Sequence, residues 1–67
     1  MFKKNEFKAA MVRKGLTAAD IAKALGIDPA TLFRKMSGQS DFFRNEIEKL
    51  CVLLELSAED TLKIFFA

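Results

Sequence analysis

Three glycines, Gly15, Gly26 and Gly38, divide this chain more firmly than any other feature. Each follows a run with apolar residues at helical spacing, and each precedes a plausible helix-start signal two residues on. Glycine just past a helix takes the left-handed conformation without the steric cost of a Cβ. Three such stops in 67 residues predict short helices joined by tight corners. No segment shows strand alternation, so the expected class is all-α, with five helices.

The first helix is expected from about Asn5 to Lys14, with Phe7, Ala10 and Met11 on one face. Leu16, just past Gly15, is placed to fold back on Met11 or Val12. Thr17 reads as the cap of the second helix, with Asp20 three residues on to close a capping box. Leu16 and Ile21 flank that cap as a hydrophobic staple, and Ile21, Ala22 and Leu25 form the buried stripe. The third helix repeats the pattern. Asp28 is the expected cap, Pro29 sits where a missing N–H costs nothing, and Ile27 and Leu32 make a second staple. Leu32 and Met36 are its expected buried pair. After the polar stretch Gln39-Ser40-Asp41 and the pair Phe42-Phe43, a fourth helix is expected from Arg44 or Asn45 to Leu54. Its inward residues are Ile47, Leu50, Cys51 and Leu54. Ser57 and Asp60 cap a short fifth helix that turns Leu62, Phe65 and Phe66 inward.

Only Gly26, Ile27 and Asp28 separate the second and third helices. A connection that short, opened by a glycine, forces a steep crossing rather than an antiparallel hairpin. Ala22, four residues before Gly26, lets the helices approach closely. Ile27 plugs the turn and Leu32 seals the third helix against the second. This is the helix-turn-helix pattern, with its core at residues 17–37 in a single domain over 1–67, and the outer face of the third helix left to protrude.

Charge is distributed unevenly. Residues 1–44 hold nine Lys/Arg against four Asp/Glu, a net of +5, whereas residues 45–67 hold two against five, a net of −3. A basic front suits a polyanion and an acidic back does not. At 51% hydrophobic and 30% charged residues the chain can fold. No apolar run reaches the roughly 18 residues needed to span a bilayer. The first residues lack the apolar region of a signal peptide. The single cysteine, Cys51, excludes an internal disulfide, fits a reducing cytoplasm and reads as a buried inert thiol. With no histidine and no second cysteine, neither a metal site nor a cofactor is expected. An enzyme is the least expected class, because no nucleophile is paired with a base and no phosphate-binding loop is present.

The stretch from Ala22 to Leu32 (AKALGIDPATL) resembles the Cro/CI-type, XRE-like regulators of phages and bacteria. The continuation Phe33 to Phe42, then Glu46 to Leu50 and the ending Ile64 to Ala67, resembles short phage-encoded repressor-like proteins of Gram-positive hosts. The resemblance covers nearly the whole chain and implies a lambda-repressor-like fold that regulates transcription by reading double-stranded operator DNA with the third helix. Carried over residue by residue, Pro29, Ala30, Phe33 and Arg34 face the bases. Arg34 can pair its fork with guanine O6 and N7, or else serve as a phosphate contact or a solvated charge. Ala30 can touch a thymine methyl, whereas Phe33 is explained as well by partial core burial as by thymine contact. Lys14, Thr17, Thr31, Lys35, Ser37, Gln39, Ser40 and Arg44, with the first amides of the second helix, are the candidates for phosphate. One departure from the family is Lys35, which stands where most members place an apolar residue, with Met36 apolar instead. A slightly rotated third helix is the expected consequence.

A half-site reader of this size implies a homodimer on a palindrome, with Phe42-Phe43 and Phe65-Phe66 as candidate contact patches unless they complete the core. The alternative partner is a repressor protein, with the chain acting as an antirepressor. The apolar character of Pro29, Ala30 and Phe33 and the low net charge of +2 favour that alternative. No membrane and no small-molecule substrate is expected.

Overall fold

The computed structural model describes residues 2–66. Five α-helices follow one another: α1 (Lys4–Lys14), α2 (Ala18–Leu25), α3 (Pro29–Met36), α4 (Arg44–Leu53) and α5 (Ala58–Thr61). The last runs into a wide π-type turn, Leu62–Phe66. There is no strand among the described residues. The all-α expectation holds, and the expected helix limits fall within a residue or so of the observed ones.

Four corners close by one device. At the end of α1, Leu16 N–H donates to the Met11 carbonyl at 2.9 Å and Gly15 N–H to Val12 at 3.0 Å. The same pair of bonds recurs from Ile27 to Ala22 and Gly26 to Lys23, and from Gln39 to Arg34 and Gly38 to Lys35. These are Schellman closures, in which the residue past the helix turns left-handed. A Cβ built on any of the three glycines would meet nothing within 4 Å, so φ alone requires them. The fourth corner lacks a glycine. Leu56 donates to Cys51 and Glu55 to Val52, and Glu55 itself adopts φ 52°.

A single cluster of buried residues joins every element but α5: Phe7, Ala10 and Met11 from α1, Ile21, Ala22 and Leu25 from α2, Leu32 and Met36 from α3, Leu50 and Leu54 from α4 and its end, and Ile64 and Phe65 from the final turn. Leu16 and Ile27 pack on it from the two corners, as their staple positions require. α2 packs on both α3 and α4, while α1 packs against the C-terminal turn. There Phe2, Phe7, Phe42 and Phe65 form a four-ring cluster in which every pair lies 5.0–6.3 Å apart between centroids. Lys3 N–H donates to the Ile64 carbonyl at 2.7 Å, which ties the two ends of the chain together.

Several expectations are corrected. Leu62 and Phe66 point outward, 61% and 62% exposed, because the wide turn sends Ile64 and Phe65 inside instead. Of the two phenylalanine pairs, Phe42 and Phe65 belong to the core cluster while Phe43 and Phe66 are exposed. Ile47 and Cys51 are half-buried rather than fully inward. The Thr61 hydroxyl donates to the Ser57 carbonyl, so the Cys51 thiol, 3.2 Å from Thr61 Oγ1, is the donor in that contact.

Candidate nucleic-acid interface

Two caps of different kinds frame the helix-turn-helix. At the start of α2 the box is complete: Thr17 Oγ1 accepts from Asp20 N–H at 3.2 Å, and Asp20 Oδ2 accepts from Thr17 N–H at 2.9 Å. The Thr17 N–H bond first, and then a bond from the Thr17 hydroxyl to the same oxygen, hold the Asp20 carboxyl below its ordinary value. Asp28 does not repeat this at α3. Its backbone is extended but its side chain makes no capping bond, so the expected side-chain cap is absent. α3 starts on Pro29, which lacks an N–H, and its Ala30 and Thr31 amides precede any carbonyl they could reach within the helix.

The inward stripe of α3 is Leu32, Lys35 and Met36. Those positions follow ordinary i, i+3, i+4 spacing, so the third helix needs no rotation. Lys35 takes the inward place itself, at 4% exposure. Its Nζ lies 3.1 Å from Glu46 Oε1, donates to the Asp41 carbonyl at 2.9 Å, and sits 3.9 Å from the Phe43 ring centroid. Glu46 is equally enclosed, and its Oε1 also accepts the Phe43 N–H at 2.8 Å at the start of α4. Lys35 is therefore withdrawn as a phosphate contact, because its ammonium is consumed inside the fold. A lone lysine among apolar neighbours gives no sequence signal of burial. Glu46, eleven residues on, is the partner that could have raised the question.

On the opposite side of α3, Pro29, Ala30, Phe33 and Arg34 are all exposed. Phe33 is 63% exposed, which settles it as a surface residue rather than a core one. Arg34 Nη2 donates to Thr31 Oγ1 at 3.1 Å, and Arg34 makes no ion pair among the described residues. The four proposed base-facing side chains thus share one outer surface with a single cation in it.

The remaining candidates surround this surface with varied freedom. Ser37, Gln39 and Ser40 are exposed in the loop after α3, and the Ser37 hydroxyl donates to the Arg34 carbonyl at 3.1 Å. Arg44 is almost fully exposed and only loosely paired with Glu48, at 3.6 Å. Lys14 is bonded to Glu55, whose carboxyl is held below its ordinary value first by that hydrogen bond and then by the lysine charge. Thr17 has its hydroxyl proton committed to the α2 cap, though the Ala18 and Ala19 amides beside it precede any intrahelical acceptor. No cluster of acidic or cysteine side chains that could hold a metal occurs among the described residues. Among the described residues no helix is long and apolar enough to cross a membrane.

A family model of the helix-turn-helix domain matches residues 5–63, nearly the whole chain. The chain belongs to that family. No curated protein and no solved structure matches it significantly.

Proposed function

We propose that this member of the helix-turn-helix domain family is a sequence-specific transcriptional regulator of Cro/CI type, a repressor of the sort phages encode. The family itself points to double-stranded DNA as the ligand and is typically non-enzymatic. The finer reading places α3 in the major groove of an operator. One observation carries it: Pro29, Ala30, Phe33 and Arg34 are exposed together on the face of α3 opposite its buried stripe. Arg34 reads guanine through its fork, and Ala30 and Phe33 meet thymine methyls. The α2 amides, Thr31, Ser37, Gln39, Ser40 and Arg44 hold the backbone. A homodimer on a palindromic site supplies the second half of the contacts.

Selection from a random duplex pool, followed by a salt titration of the enriched sequence, tests this reading. Specific binding is expected, with log K falling against log salt at a slope near −0.9 per phosphate contact. Arg34→Ala should relax base preference by about 1–3 kcal/mol at one position. Failure to enrich any duplex, with capture of a co-encoded repressor instead, would replace DNA by protein as the partner.

A further inference from the structure

We infer that Lys35 and Glu46 are positioning residues for DNA binding, which lock the α3–α4 loop in the shape that presents Gln39, Ser40 and Arg44 to the backbone. The inference rests on the DNA reading above and names a function for the one buried ion pair among the described residues. A buried pair of this kind is often replaceable by apolar side chains without loss of stability, so stability alone is a poor reason for its presence.

Its geometry supplies a better one. The single ammonium of Lys35 holds the loop at two points, the Asp41 carbonyl and the face of Phe43. Glu46 holds the same segment from the other side through the Phe43 N–H. The other backbone bonds of the loop, from Gly38, Gln39 and Ser40, all return to the end of α3, so the segment before α4 is held by this pair and by the packing of the Phe42 ring in the four-phenylalanine cluster. One cluster thus joins the reading helix, the loop that follows it and the start of α4. Displacing it would leave α3 in place while freeing the residues that set its register on the duplex.

The test uses the full chain carrying Lys35→Met with Glu46→Gln. That double substitution removes both charges yet keeps an acceptor at the start of α4 for the Phe43 amide. The probe is the duplex that the wild-type chain selects from a random pool. The double variant should remain folded, exchange its Phe43 amide, which in the wild type is held by the salt-bridged Glu46 carboxylate, at least tenfold faster, and bind the selected duplex about tenfold more weakly. Its preference among bases opposite Arg34 should be unchanged, since α3 itself has not moved. Phe43→Ala, at an exposed position, is the second variant and should show the same changes at about threefold. A folded double variant that binds as tightly as the wild type overturns the inference while leaving the DNA reading intact. If the double variant fails to fold, unchanged affinity in Phe43→Ala overturns it. A wild-type chain that enriches no duplex removes the DNA reading, and this inference falls with it.

Discussion

Helices α2 and α3 have the same length, eight residues, and both are entered from a corner that closes on a left-handed glycine. They differ at their starts and along their inner faces. α2 closes a cap box of its own through Thr17 and Asp20, with the Ala18 and Ala19 amides left open, and its buried stripe is wholly apolar. α3 is unfinished at both places. Asp28 leaves the first amides uncovered, and Lys35 puts a charge into the stripe that only α4 can neutralise. On the proposed DNA reading the uncovered donors at the start of α3 face the duplex, and α3 takes its order from α4 through Glu46.

The largest effect that tests this contrast is Lys35→Ala alone. It strands Glu46 without a counter-charge and should cost about 3–5 kcal/mol of stability in denaturant unfolding. In the apolar stripe of α2, Leu25→Ala should cost about 2–3 kcal/mol, the ordinary penalty of a cavity. Equal losses would erase the difference between the inner faces.

The caps should separate by less. Thr17→Ala should lower stability by about 1 kcal/mol. Asp28→Ala, which breaks no side-chain bond, should lose only about 0.3 kcal/mol of interaction with the helix dipole. Comparable losses at the two positions would show that Asp28 caps after all in solution.

Acid should act on the α2 cap. The Asp20 carboxyl is held below 3.8 in the fold, so its contribution is complete above that value and disappears as pH falls through the lower, folded-state pKa. Asp20→Asn should therefore flatten the acid limb of an unfolding titration below about pH 4. An unaltered limb would place the acid sensitivity elsewhere. A small effect of opposite sign belongs to Glu55→Gly, which relieves a left-handed φ at the loss of the exposed Lys14 pair. It should raise Tm by about 2–4 °C.

Sequence reading succeeds here where the cause is local. Glycine corners, Thr17 with Asp20, and the Leu16 and Ile27 plugs depend on residues within one turn of each other. It misses Glu55, because nothing in a glutamate announces a left-handed backbone. It misplaces Lys35, because a lysine is almost never enclosed unless a distant group meets it. It inverts Leu62 and Phe66, because the last turn abandons the 3.6-residue period on which facing is judged. The exposed outer face of α3, with Pro29, Ala30, Phe33 and Arg34, is legible in outline, whereas the loop that follows it depends on contacts that cross between helices.

The bond from Lys3 to Ile64 and the four-phenylalanine cluster have a consequence for biosynthesis. Phe2 and Phe7 leave the ribosome some sixty residues before Phe65. Until then the cluster lacks one of its four rings and the amino-terminal segment has no carbonyl to bind. The nascent chain can wind its helices one at a time but cannot close its core until Ile64 and Phe65 have emerged. A chain that stops short of Ile64 would lack both that carbonyl and the Phe65 ring, and would hold helices without a closed core.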